Sequence, residues 1–286
     1  MKINNKTIII IVSIVFTGLI IYKIFKSNNK VDKKLGNAIK IMCIGDSLTD
    51  NYDIQGSFRK YLYNGLRKKG FNIEMVGTKD GINKEYKDEM TGESFIYNDA
   101  NVGYSGFFIK SFGRNRGIYN ILKKTNCISS LKPNIIILLI GTNNAIVKRD
   151  PKENSADFEL LLNYIIKKMP SSSILFVSTI PYVDPNKKIV LQWFESYRHS
   201  EDWHYFYSDE EVEKKVREYI KLFNLDITAR VNKRKQKGQP IRIANINSVV
   251  TDVKSQLSDG VHPNDKCYKA IGKYWTKIIG NYLNEK

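Results

Sequence analysis

The sequence predicts an α/β protein: a three-layer α/β/α sandwich around a mainly parallel sheet of five strands. Three observations carry this. Five short, mainly apolar runs, each bounded by Gly, Pro, Asn or a charged residue, read as strands buried on both faces, NIIILLIG and SILFVSTI carrying no charge at all. Segments with helical spacing of apolar residues fall between those runs. The order is therefore strand, helix, strand along the chain, with no internal repeat, which is the pattern of a sheet covered on both sides.

The elements follow in order. AIKIMCI (38–44) enters a Gly and reads as the first strand. Residues 55–69 place Phe58, Tyr61, Leu62 and Leu66, with Gly65 among them, on one face of a helix. NIEMVG (72–77) is the second strand, and NIIILLIG (134–141), rich in β-branched residues between Pro133 and Gly141, is the third. Helical spacing returns at 154–168, SILFVSTI (173–180) is the fourth strand, and 209–235 reads as a long charged helix. IRIANI (241–246) is the fifth strand and 265–284 the last helix.

Residues 1–34 stand apart from this domain, which spans 35–286. Thr7 to Tyr22 is a run of sixteen uncharged, mostly apolar residues. Extended to Phe25 with Lys23 snorkelling, it is about 28 Å of helix, close to the ~30 Å of a bilayer core. The expectation is a single-pass N-terminal membrane anchor. A cleaved signal peptide and a buried helix are its rivals; no small-x-small cleavage site follows the run. Taken literally, the lysines after the run place the domain in the cytoplasm, but the whole chain is rich in Lys, which weakens that signal; the expectation is an outward-facing domain, with the orientation open.

The chain of 286 residues carries 46 Lys and Arg against 29 Asp and Glu, a net charge of +17. Residues 1–34 hold seven basic and one acidic residue, so the rest keeps 39 against 28, or +11. Such charge suits an anionic surface, but no zinc-finger or RNP sequence accompanies it, and no nucleic-acid partner is expected. Three cysteines make no disulfide framework; Cys43, within the first strand, reads as a free buried thiol. No CxxC, HExxH or EF-hand spacing is present, so neither a metal nor another cofactor is expected. The sequence carries no signal of oligomeric state.

In sheets of this kind ligands sit beyond the carboxyl ends of the strands, which is where chemistry should appear. After the first strand comes Gly45-Asp46-Ser47-Leu48-Thr49-Asp50, where a sharp turn can present the Ser47 hydroxyl at a helix entrance; read alone, it is equally a helix cap. After the third comes Gly141-Thr142-Asn143-Asn144, with a side-chain amide able to stabilise an oxyanion, or simply an Asn-rich turn. Between them lies Asn101-Val102-Gly103-Tyr104-Ser105-Gly106; Ser105 is not an elbow serine, because Phe107 stands where GxSxG needs Gly. After the fifth strand comes Asp259-Gly260-Val261-His262-Pro263. The chain has three His; His199 and His204 lie in an aromatic stretch, whereas His262 has Asp259 three residues before it.

Ser, Gly, Asn and His in that order resemble the SGNH superfamily of GDSL-type hydrolases, and the first block spells GDSL. The resemblance covers roughly residues 38–284 and implies an SGNH hydrolase-like, flavodoxin-like fold. It implies Ser47 as nucleophile, His262 as base and Asp259 as its partner, with the oxyanion held by the Ser47 and Gly106 N–H groups and the Asn143 amide. One departure is Asn144, where many relatives carry Asp, so a supporting hydrogen bond is expected to differ. The spacing from IMCIGDSLTD to DGVHPN looks most like carbohydrate esterase family three, which resembles acetyl xylan esterases. An O-acetylated carbohydrate is accordingly the expected substrate, with a lysophospholipase, a general short-chain esterase or a non-catalytic glycan-binding protein as alternatives.

An aromatic-rich insertion at 182–207 follows the fourth strand. Its rings either wall the crevice and stack on sugar or pack a small subdomain at the sheet edge. Asp46, Trp193 and Trp203 are the expected substrate contacts. Asp50, Asn51 and Tyr52 are candidates for the mouth.

Overall fold

The computed structural model describes residues 37–50, 54–88, 91–185, 192–199 and 205–286. The expected anchor at 1–34, and Asn51, Tyr52, Trp203 and His204, lie outside the described residues. Among the described residues no helix is long and apolar enough to cross a membrane.

All five expected strands are present, and every pairing in the main sheet is parallel. In chain order the first part runs β1 (Ile39–Gly45), α1 (Ser57–Lys68), β2 (Ile73–Met75), β3 (Asn83–Lys87), β4 (Ser94–Asn98) and β5 (Val102–Gly103). It continues with α2 (Ile118–Thr125), α3 (Cys127–Leu131), β6 (Ile135–Leu139), α4 (Thr142–Ile146), α5 (Pro151–Lys168) and β7 (Ile174–Ser178). The last part is a 3-10 turn (Gln192–Tyr197), α6 (Asp209–Gln236), β8 (Ile241–Ala244), a 3-10 turn (Ile246–Ser248), α7 (Val253–Gln256) and α8 (Asp265–Glu285). The sheet order is β2-β1-β6-β7-β8. A sixth strand, the two-residue β5, pairs with the C-terminal half of β1, while β2 pairs with its N-terminal half, so the two share one edge. Two residues are too few for any periodicity to announce a strand.

The central strands are apolar because both faces are covered. Ile41 to Ile44, Ile135 to Leu139 and Leu175 to Val177 are buried. Phe176 of β7 meets the rings of Trp275 and Tyr282 from α8, and Trp275 also meets Phe58 of α1. Phe158 of α5 packs edge-on against Phe223 of α6 in another helical pair. Each such buried ring or branched side chain is worth about 1.5–3 kcal/mol. Local signals set the helix ends. Asp150 accepts from the N–H groups of Lys152 and Glu153 ahead of Pro151, which starts α5 three residues before the expected 154. Ser208 and Glu211 form a reciprocal capping box on α6, and Asn264 caps α8 through Cys267 N.

The sequence reading assigns no element between 78 and 133. That stretch holds α2, α3, the two-residue β5 and the antiparallel hairpin β3–β4, which is tied to the domain by ring packing, Tyr86 on Tyr61 and the buried Tyr97 on Tyr63, and by polar contacts. The buried Lys60 reaches Asp265 at 2.7 Å under the Tyr86 ring, Lys269 reaches Asp88 at 2.6 Å, and Arg59 donates to the Tyr97 hydroxyl and to the Asp99 carbonyl.

Candidate active site

The register puts three loops level. Gly45 lies opposite Gly103 on one side and Leu139 on the other, so the carboxyl ends of β1, β5 and β6 stop at the same height. A Cβ on Gly45 would sit 2.1 Å from the Leu139 carbonyl oxygen, so only glycine allows β1 and β6 to stay this close as the chain turns to Ser47. The fourth loop arrives less directly. After β8 the chain passes through a 3-10 turn and α7 before reaching Asp259, and Asp184 N donates to the Gly260 carbonyl at 2.7 Å to hold the loop over the strand ends.

Three polar side chains form one line. The Ser47 Oγ lies 2.8 Å from His262 Nε2, and His262 Nδ1 lies 2.6 Å from Asp259 Oδ2. The other carboxylate oxygen of Asp259 accepts from the N–H groups of Val261 (2.9 Å) and His262 (2.8 Å). Burial alone would raise the Asp259 carboxyl; the hydrogen bonds from the His262 ring and from these two N–H groups outweigh it and hold the group well below the usual carboxylate range. Ser47 and His262 are buried, at 6% and 4% exposure, so their contact is shielded from competing water. Such a line can take a proton from the hydroxyl at Nε2 while the carboxylate fixes the ring tautomer.

Three donors stand beside it. The Ser47 and Gly106 N–H groups have no acceptor within the described residues. Gly106 has φ +75°, a left-handed value that glycine adopts freely. The Asn143 amide donates one hydrogen to the Phe107 carbonyl at 2.9 Å, which orients the group and leaves its second N–H available. Ser47, Gly106, Asn143 and His262 line one cleft of about 360 Å³ together with Ser105, Phe108, Ile146, Val147, Trp193 and Val261. Among the described residues no group of three or more His, Cys, Asp and Glu is placed to hold a metal ion.

The expected substrate contacts separate. Trp193 is on the cleft wall and 39% exposed, whereas the neighbouring Phe194 and Tyr197 are buried, the Tyr197 hydroxyl donating to the Ala145 carbonyl. One ring of the insertion thus lines the cleft and two lie in the core. Asp46, expected as a substrate contact, is fully buried and off the cleft wall, its Oδ1 accepting from Leu48 N at 3.1 Å. Burial pushes its carboxyl up to about 6 despite nearby His262 and the N–H groups of Leu48, Gly141 and Thr142. At Asn144 the supporting bond is an acceptor, Oδ1 taking the Ile109 N–H at 3.1 Å, so the neutral amide does what one carboxylate oxygen would; its Nδ2 is buried without a partner among the described residues. His199 also has a carboxylate neighbour, Glu195 at 3.3 Å, supplied by its own segment. Phe108, Ile146, Val147 and Val261 went unread as site residues, since an apolar residue beside a motif looks like any other core residue.

The profile of the GDSL-like Lipase/Acylhydrolase family matches residues 41–275. A "Multidomain esterase" of Ruminococcus flavefaciens is 33% identical over 254 residues, which cover 86% of this chain and 29% of that protein. The family 3 carbohydrate esterase of Clostridium thermocellum is similar in structure, with a TM-score of 0.56 at 20% identity over 87% of this chain and 98% of that one. A family 3 carbohydrate esterase from Talaromyces cellulolyticus gives a TM-score of 0.55 at 17% identity, over 87% and 99% of the two chains. These two likenesses concern the fold.

Proposed function

This chain belongs to the GDSL-like lipase/acylhydrolase family, the carboxylic ester hydrolases, and from that premise we propose that it removes O-acetyl groups from a carbohydrate through an acyl-serine intermediate. The single observation that carries the chemistry is the unbroken line from the Ser47 hydroxyl through His262 to Asp259. In this mechanism Ser47 Oγ attacks the ester carbonyl as its proton passes to His262 Nε2. Asp259 keeps the other ring proton at Nδ1 and stabilises the imidazolium. The carbonyl oxygen, now negative, takes hydrogen bonds from the Ser47 and Gly106 N–H groups and the Asn143 amide. The imidazolium returns its proton to the departing sugar oxygen, leaving acetyl on Ser47. Water then attacks that ester with His262 as base, releasing acetate and restoring the hydroxyl.

The carbohydrate reading draws on the family 3 carbohydrate esterases that share this fold, and on Trp193, whose exposed ring on the cleft wall suits stacking against a sugar. On this reading the apolar run at 7–22 tethers the enzyme to a membrane beside an outward-facing glycan. The apolar residues Phe108, Ile146, Val147 and Val261 favour a second reading, in which the cleft holds a longer acyl chain and the enzyme is a lipid or general esterase. Turnover of acetyl and octanoyl aryl esters by the full chain, with Ser47→Ala as control, separates the two. Faster acetyl turnover that Ser47→Ala abolishes supports deacetylation, and faster octanoyl turnover replaces it with the lipid reading.

A further inference from the structure

The oxyanion donor on Gly106 belongs to a turn whose own ties, the Phe107 N to Tyr104 carbonyl bond and the contact of the Tyr104 and Phe107 rings, join its ends and do not set the orientation of its central peptide. Residues 104–107 close through Phe107 N and the Tyr104 carbonyl at 3.1 Å, and Gly106 sits third with φ +75°. That is the value of a type II turn, which differs from type I by a flip of the central peptide. Here the central peptide is Ser105–Gly106, and its N–H is the proposed donor. The flip would turn that N–H away from the cleft, so whatever fixes Ser105 fixes the donor.

Asp50 does this from the nucleophile's own turn. Its N–H donates to the Asp46 carbonyl at 2.9 Å, which places it one helical turn along from the serine. Its Oδ2 accepts both from Ser105 N (3.1 Å) and from the Ser105 hydroxyl (2.9 Å). Its Oδ1 pairs with Lys79 Nζ at 2.6 Å, and Lys79 lies over the Tyr104 ring of the same turn. The Asp50 side chain is only 11% exposed, so its hydrogen bonds to Ser105 are little weakened by solvent.

We propose that Asp50 is a positioning residue that locks the Gly106 N–H toward the oxyanion, with Lys79 keeping its carboxylate in place; this rests on the Ser47 esterase reading. It is not among the residues that line the cleft, so its loss lowers kcat and leaves KM nearly unchanged. Misaiming one donor of three costs less than deleting one, and the loss expected for Asp50→Ala is about ten- to a hundredfold in kcat. Asp50→Asn keeps an acceptor for the Ser105 N–H and loses the charge, so it falls between Asp50→Ala and wild type.

The test is a double-mutant cycle on the full chain with an acetyl aryl ester, read with the affinity for phenylboronic acid, whose tetrahedral serine adduct occupies the oxyanion site. The Ser105 hydroxyl acts through Asp50, so Ser105→Ala should cost activity in the wild-type background and nothing further in Asp50→Ala. Boronate affinity should fall in step with kcat. Changes in kcat within twofold in both Asp50→Ala and Asp50→Asn, unchanged boronate affinity, or additive effects of the two sites would overturn the proposal. Melting curves identify a variant that fails to fold, and Asp50→Asn and Ser105→Ala, nearly isosteric, then carry the test. Activity that survives Ser47→Ala refutes the esterase reading itself, whereas Ser47-dependent activity indifferent to Asp50 refutes only the positioning role.

Discussion

Replacing Asn143 by Ala removes two functions held by one nitrogen, and the structure separates them. The first is the hydrogen bond to the Phe107 carbonyl at 2.9 Å, which exists in the resting enzyme. Its loss costs about 0.5–1.5 kcal/mol of stability. For a domain of this size, that lowers Tm by roughly 1–6 °C. The second is the remaining amide N–H, which meets an acceptor only when the carbonyl oxygen becomes negative. Loss of one such donor costs about 10²–10³ in kcat, or roughly 3–4 kcal/mol of barrier. Because that bond is absent from the bound ground state, KM should stay within about twofold. Steady-state kinetics on an acetyl aryl ester, with a melting curve of the same preparation, measures both parts. A kcat loss under tenfold, or a rise in KM as large as the fall in kcat, would refute the assignment of Asn143 to the oxyanion.

Three further outcomes are expected. Asp46→Asn should stabilise the protein by roughly 2–3 kcal/mol at pH 8 and not at pH 4, read from denaturant midpoints; a carboxyl raised to about 6 in the fold costs nothing below its unfolded pKa and the full amount above its folded one. A gain at pH 4 as large as at pH 8 contradicts this. Trp193→Ala should raise KM for an acetylated oligosaccharide several-fold with Tm unchanged, because the ring is 39% exposed on the cleft wall; equal KM changes on a small aryl ester would argue against sugar stacking. Asn144→Ala strands the buried Ile109 N–H, so it should lower stability by about 1–3 kcal/mol in a denaturant titration, and no change would show the bond to be dispensable.

The sheet was legible because its strands are buried on both faces, which leaves β6, β7 and β1 from Ile41 onward as continuous apolar runs. The catalytic blocks were legible for a different reason. Asp259 and His262 are partners across three residues, and Ser47, Gly106 and Asn143 each follow a strand end, so local sequence nearly contains the geometry. What stayed hidden depends on distant parts meeting. The hairpin of β3 and β4 is held by the Lys68–Glu93 and Lys269–Asp88 ion pairs and by the rings of Tyr86 and Tyr97 on α1, and polar strands such as NKEYK carry no mark of burial. Trp193 and Phe194 are adjacent aromatics, and only the direction of a 3-10 turn sends one to the cleft and the other to the core. Asp50 is an ordinary acidic residue after a motif until Ser105, 55 positions later, is brought against it.

The most direct test of the account is to stop the full chain during turnover of an acetyl aryl ester by acid quench and map the peptides by mass. The account predicts one acetyl group on the peptide containing Ser47, absent from Ser47→Ala and accumulating in His262→Ala only if some acylation persists there. Turnover with no acyl group on Ser47, or an acetylated peptide elsewhere that tracks the rate, would contradict it.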